Sequence, residues 1–251
     1  MKLDKVVTFL DRELKLSAYT DGSNNGLQVA NGGAVTRVCC GVDASLPFFE
    51  AAAAAGANLL ICHHGLSWGD SLKHITGLNY RLIRFLIEHD MALWACHLPL
   101  DAHAKLGNNA CIARGLGLRK LEPFCSYHGQ MIGWRGELPL ALSRARFHAL
   151  VRRVIAANLQ TMDFGPAAIR RVGIVSGGAA AEVAQAAGAG LDVYVSGEPT
   201  LQGYNLACQL GMNAVFAGHY ASERFGVIAV GELLRRHFKL PSQFVDLHVT
   251  Y

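Results

Sequence analysis

The sequence predicts an α/β fold made of two similar, pseudo-symmetric strand–helix–strand lobes, with mixed sheets flanked by helices and a metal site in the cleft between them. Three observations carry this. Apolar runs at 38–42 and 59–62 flank a helical stretch, which is one strand–helix–strand unit. A second such unit, over 171–198, lies on the first at a constant offset of 134 without a gap. Each copy is then followed by a strand closing on His-x-x-x-carboxylate, His97 with Asp101 and His219 with Glu223, at an offset of 122. The chain of 251 residues therefore reads as one domain whose lobes span about 1–125 and about 126–251.

The elements follow in order. Leu3, Val6, Val7, Leu10 and Leu14 recur at helical spacing, and acids lie among the lysines. Residues 1–16 thus predict an amphipathic helix and not a secretory leader. The stretch 21–29 is rich in Asp, Gly, Ser and Asn and reads as a loop, either a cover for a site or a plain connection. Residues 38–42 form a buried strand, 43–56 a helix with Pro47 near its start, and 59–62 a strand that ends on His63-His64-Gly65. Neighbours within a strand point to opposite faces, but beyond its end, with Gly65 permitting a sharp turn, both rings can reach one cavity. A helix over 80–89 and a strand over 91–96 lead to His97-Leu98-Pro99-Leu100-Asp101. Between the lobes, 131–139 predicts a strand and about 141–159 a basic amphipathic helix. The second copy has strands at 171–176 and 193–195 around a helix at 179–190, and a further strand at 212–218. A helix over 223–238 and a strand over 244–249 complete the chain.

Composition narrows the function. With 51% apolar and 17% charged residues the chain is globular and not disordered. Its net charge of +4 is scattered apart from Arg144-Ala145-Arg146 and Arg152-Arg153, too little phosphate neutralisation to favour a nucleic-acid partner. No uncharged apolar run reaches the roughly 18 residues of a membrane span, so no membrane partner and a cytoplasmic location are expected. Seven cysteines without a CxxC pair fit reduced thiols used for packing. There is no phosphate-binding P-loop and no dinucleotide fingerprint.

The chemistry lies in the histidines. If the lobes face each other, His63, His64, His97, Asp101, His219 and Glu223 converge. Three or four imidazoles with two carboxylates exceed what one tetrahedral ion takes, and a carboxylate can bridge two ions about 3.5–4 Å apart. Two divalent ions per chain are expected, with Zn, Fe, Mn or Ni all compatible with mixed nitrogen and oxygen donors. Their excess positive charge suits a small anionic substrate, and a metal-bound water is the nucleophile such a pair supplies. Any one of these histidines alone reads as a packing residue; the strand-end placement repeated in both lobes is what points to metal. His74, His89, His103, His128, His148, His237 and His248 lack that placement and read as ordinary. Glu198, at the repeat position of His64, reads either as an acid beside the site or as a helix cap or exposed group.

Four motifs, Asn25-Gly26-Leu27-Gln28, Cys62-His63-His64-Gly65, His97-Leu98-Pro99-Leu100-Asp101 and Gly218-His219-Tyr220-Ala221-Ser222-Glu223-Arg224-Phe225-Gly226, together resemble the Nif-three-like dinuclear metal-centre family. Its bacterial members are commonly called type 2 homologues of GTP cyclohydrolase I. The motifs span nearly the whole chain in the family's order, and the length resembles the short bacterial form. The resemblance implies that His63 and His64 sit on different ions, that Asp101 and His219 each complete one, and that Glu223 bridges. His97 matches a histidine beside the metals, as a sixth ligand or as a group held against one. A homohexamer, a trimer of dimers, is also implied. So is a metal-dependent hydrolase acting on a nucleotide or related anionic metabolite; no guanine pocket is legible. The alternative is a non-catalytic metal-handling protein or ring-shaped interaction scaffold.

Overall fold

Short apolar runs with no polar face become buried parallel strands, and the rest of the chain covers them. The structure, a computed structural model, describes residues 1–250. The chain folds as two compact units, one built from Met1–Leu100 with Gly226–His248, the other from Asp101–Phe225. Where the linear reading puts a boundary near residue 125, residues 101–125 group with the second unit and the C-terminal segment returns to the first.

In the first unit, α1 (Leu3–Glu13) buries Leu3, Val6 and Leu10 along one face. Then come β1 (Gly26–Val29), β2 (Val38–Asp43), α2 (Leu46–Ala54), β3 (Leu59–His64), α3 (Gly77–Glu88) and β4 (Ala92–Ala95). The helical crossovers make β2, β3 and β4 parallel neighbours. One face of this sheet packs Cys39, Leu60, Cys62, Leu93 and Ala95 against Phe48, Phe49 and Ala52 of α2 and Leu82 and Leu86 of α3. Each fully buried Phe contributes about 1.5–3 kcal/mol. On α1, Asp11 accepts a 2.8 Å hydrogen bond from the indole N–H of buried Trp94 in β4.

The second unit contains α4 (Leu98–Ala102) from Asp101 onward, α5 (Asn108–Gly115), β5 (Arg119–Tyr127), β6 (Gln130–Ser143), α6 (Arg144–Val154), β7 (Gln160–Asp163), β8 (Ala168–Ile174), α7 (Val183–Gly188), β9 (Val193–Ser196), α8 (Leu201–Gln209) and β10 (Asn213–Phe216). Its sheet runs β5-β6-β8-β9-β10-β7. Val172, Ile174, Val193, Val195 and Val215 pack against Ile112 of α5 and Phe147 and Val151 of α6.

The chain finishes with α9 (His219–Phe238) and β11 (Ser242–Phe244); α9 begins in the second unit and belongs to the first from Gly226 onward. Strand β11 pairs in parallel with β2, which explains the return of the C-terminus, and the first sheet runs β1-β4-β3-β2-β11. At Gly231 of α9 a Cβ would meet Cys40 Sγ at 2.8 Å, so that helix lies tightly on β2.

The repeat is topological. In each sheet, read inward from an antiparallel edge strand, three parallel strands stand in reverse order, β4-β3-β2 after β1 and β10-β9-β8 after β7. The sheets differ beyond it, where β2 meets parallel β11 and β8 meets antiparallel β6.

Several boundaries differ from the expectation. The stretch read as a loop contains β1, a short edge strand whose register slips between Leu27 and Val29, which erases its alternation. Strand β5 has no clean strand pattern in the sequence because Lys120 and Cys125 adopt left-handed backbone without glycine, and Pro123 lies between them. Strand β6 continues to Ser143, whose hydroxyl caps α6 by accepting from Arg146 N at 3.4 Å, so the basic helix is shorter than 141–159. Helix α9 starts at His219 and not at Glu223. The final strand is Ser242–Phe244, not 244–249. No helix among the described residues is long and apolar enough to cross a membrane.

Candidate functional site

In the first unit the carboxyl ends of β2, β3 and β4 come to one edge, where open parallel sheets place their ligands. Asp43 and His64 are register partners, as are Cys62 and Ala95, so Asp43, His63, His64 and His97 gather there. His63 is fully buried, and the His64 side chain is 21% exposed. Ring centroids are 4.7 Å apart for His63–His64, 5.1 Å for His63–His97 and 5.7 Å for His64–His97. One ligand nitrogen from each of the three lies within 4.8 Å of the others. Trp68 stands edge-on to His97 at 5.0 Å.

All three rings are held by the same atom. His63 Nδ1–H donates to the Cys96 carbonyl at 2.9 Å, His64 Nδ1–H to Asp43 at 2.8 Å and His97 Nδ1–H to Asp21 at 2.9 Å. An acceptor at Nδ1 fixes the proton there and makes Nε2 the lone-pair nitrogen in the neutral ring. Asp21 also accepts from the backbone of Ser23 and Leu98 and from the Asn25 amide. Burial raises its carboxyl, but the His97 hydrogen bond and charge, with those from Asn25 and Ser23, hold it well below the usual carboxylate range. Gln28 Oε1 accepts from Leu66 N at 2.7 Å and Ser67 N at 3.0 Å and pins the chain after the His pair. Gly65 serves close approach and not a left-handed turn, because a Cβ there would fall 2.3 Å from Gln28 Oε1 and 2.6 Å from Ala95 Cβ.

In the second unit the ends of β8, β9 and β10 supply Ser176-Gly177, Glu198 and His219. His219 and Glu223 sit one turn apart on α9, with Nε2 to Oε2 at 3.1 Å, and Glu198 lies 3.3 Å from the other ring nitrogen. Glu198 is therefore an acid beside the histidine and not merely a cap. The Glu223 hydrogen bond lifts the His219 pKa, burial opposes it, and the charges of Glu223 and Glu198 add, bringing it up to about 9. In the metal-free chain His219 thus carries a proton at neutral pH. Buried Asp101 accepts from Asn108 Nδ2 at 2.9 Å and Ser176 Oγ at 3.0 Å. Asp101 does not join His219 and Glu223 in a set of three mutually close donors within this unit among the described residues.

Sequence reasoning missed Asp43 and Asp21 as anchors. Asp43 carried a signal, since it ends the strand beside β3; Asp21 carried none, because only folding brings it to His97, 76 positions away. The histidines set aside pack elsewhere: His237 stacks on Phe9 and His89 on Phe85.

The donors fit a divalent ion. Imidazoles oriented through Nδ1 and buried carboxylates are the donor types that transition metals select, and each ring already has its outer partner. Gly177, at φ +69°, leaves space that a Cβ would fill 2.1 Å from Glu223 Oε1 and 3.2 Å from His219 Nε2. His63, His64, His97, His219 and Glu223 are thus groups able to bind a metal ion.

Residues 1–250 match the family described as Duf34/NIF3 (NGG1p interacting factor 3). A relative from Deinococcus radiodurans named GTP cyclohydrolase 1 type 2 homolog is 41% identical over 243 residues, covering 97% of this chain and 92% of that protein. One of the same name from Archaeoglobus fulgidus is 40% identical, with 98% of each covered. The crystal structure of TTHA1606 from Thermus thermophilus is similar with a TM-score of 0.90, at 32% identity and 100% coverage of both chains. With a family match across the described chain and such identity over nearly the full length of its relatives, this chain belongs to the Duf34/NIF3 family.

Proposed function

We propose that the chain holds two divalent metal ions and is a metal-dependent hydrolase acting on a nucleotide or a related small anionic metabolite. The observation that most supports this reading is the anchoring of three clustered imidazoles through Nδ1 by Cys96, Asp43 and Asp21. A packing histidine needs no such matched set, whereas ligating histidines characteristically have one. His63, His64, Asp101, His219 and Glu223 would hold the ions, with His97 beside them; Zn, Fe, Mn and Ni all suit these donors. When bound, such ions supply a Lewis acid and an activated water for attack on an electrophilic centre. The chain's own part is orientation. Asp43 and the Cys96 carbonyl fix two ring tautomers, Asp21 fixes the third, and Asn108 and Ser176 hold the Asp101 carboxylate. The name GTP cyclohydrolase 1 type 2 homolog borne by relatives favours a nucleotide substrate. A homohexamer, a trimer of dimers, and a cytoplasmic setting accompany the reading, the latter supported by seven free cysteines.

The test is the metal content of protein purified without chelators or a histidine tag, beside His64→Ala, followed by a nucleotide panel assayed with the metal found. About two ions per chain, fewer in the variant, with turnover lost in Glu223→Gln, is the expected result. Absence of metal in a fully stable protein overturns it. Metal without turnover of any nucleotide leaves the non-catalytic metal-handling or scaffold role.

A further inference from the structure

Glu198 follows β9 in the second unit, and neither a helix cap nor an open solvent position accounts for it. Thr200, two residues on, is the cap of α8, its hydroxyl accepting from Gly203 N at 3.0 Å. The Glu198 side chain is 26% exposed, yet its Oε2 atom is shielded from water and lies 3.3 Å from His219 Nδ1. Close main-chain packing puts it there. A Cβ on Gly197 would fall 2.6 Å from the Gly177 carbonyl oxygen and 2.8 Å from His219 Cα, and one on Gly178 would fall 3.0 Å from Glu198 Oε1. Backbone bonds tie the same loops, from Gly197 N to Gly177 O at 3.0 Å and from Gly218 N to Gly197 O at 2.8 Å. Glu198 and His219 thus stand on one frame of interlocked strand ends.

The His219 ring has Glu223 3.1 Å from Nε2 and Glu198 3.3 Å from Nδ1. When a neutral imidazole gives its Nε2 lone pair to an ion, its proton is at Nδ1, and Glu198 is the carboxylate that faces that atom. We propose, on the metal reading given above, that Glu198 is the positioning residue of His219: it accepts Nδ1–H and so turns Nε2 toward the ion. The contact is longer than the 2.8–2.9 Å bonds that hold His63, His64 and His97, with the ring shared between two carboxylates. Contacts of this kind tighten once the ligand is in place. Each of the four histidines is then held through Nδ1 by an oxygen, a carbonyl for His63 and a carboxylate for His64, His97 and His219.

The test is Zn²⁺ affinity by chelator competition, with imidazole ¹⁵N NMR of the Zn-loaded protein, on wild type and on Glu198→Ala, Glu198→Gln and Glu198→Asp. Melting temperatures confirm that each variant folds. Orientation and bare charge predict different orders. Under orientation, Glu198→Ala weakens Zn²⁺ binding about 10- to 100-fold and His219 loses its single Nδ1–H signature. Glu198→Gln, whose amide oxygen still accepts from Nδ1–H, recovers most of the affinity and keeps the signature. Glu198→Asp keeps the charge but is shorter by one carbon–carbon bond, about 1.5 Å, and behaves like Glu198→Ala. Any other order overturns the proposal, above all Asp behaving like wild type with Gln behaving like Ala. If Glu198→Ala fails to fold, the order of the Gln and Asp variants decides. Zn²⁺ bound alike by wild type and all variants overturns the role of Glu198 alone, whereas a wild type that binds no Zn²⁺ overturns the metal reading and this role with it.

Discussion

Asp43 and His64 face each other across the β2–β3 ladder, and the carboxylate accepts the imidazole Nδ1–H at 2.8 Å. The last register pair of two parallel strands is thus also a carboxylate–imidazole pair, at the edge where the three rings of the first unit gather. Asp43 is about half exposed, so its contribution lies in orienting the ring more than in stability.

Replacing Asp43 by Ala should therefore leave the fold intact and weaken metal binding about 10- to 100-fold, the usual cost of losing the outer partner of a ligating histidine. Chelator competition on wild type and variant measures it. Equal affinities would show that His64 is oriented without Asp43.

Gly177→Ala should be destabilising and should displace Glu223. The left-handed backbone costs about 1–2 kcal/mol for a residue with a Cβ, and the added carbon would lie 2.1 Å from Glu223 Oε1. Urea denaturation reads the first effect and metal stoichiometry the second; retention of full metal content would remove Gly177 from the description of the site.

Asp192 governs an acid-sensitive contact within the second unit. Burial raises its carboxyl, but the Arg171 side chain and the backbone N–H groups of Arg171 and Arg170 outweigh burial and lower it. A lowered folded-state pKa means stability fully present above the unfolded value of about 4 and lost as pH falls through the folded value. Asp192→Asn should cost about 1–3 kcal/mol at pH 7, and the gap between variant and wild type should close as pH drops below about 4. A gap that persists undiminished at pH 2–3 would assign the loss to packing and not to charge.

Trp94→Phe should destabilise the first unit by about 1–3 kcal/mol, because Asp11 loses the indole donor while the buried ring stays apolar. Thermal unfolding checks it. The double variant with Asp11→Ala, which removes the acceptor, should be less than additive, since the two residues share one hydrogen bond.

The sequence by itself determined the repeated strand–helix–strand unit, because a buried parallel strand must be an apolar run and a crossover helix must separate it from the next. It also determined that His63, His64, His97 and His219 stand at strand ends, since that placement follows from where each apolar run stops. The pairing of His219 with Glu223 was legible too, four residues being one turn of helix. Tertiary structure decided the rest. Asp21 reaches His97 only when the loop after α1 folds against β4, and no local rule links positions 76 apart. The C-terminal residues return to β2 because its outer edge needs a partner, a demand set by the sheet and not by the composition of β11. Periodicity records which side of an element is buried; which distant group completes a hydrogen bond is fixed by three-dimensional packing.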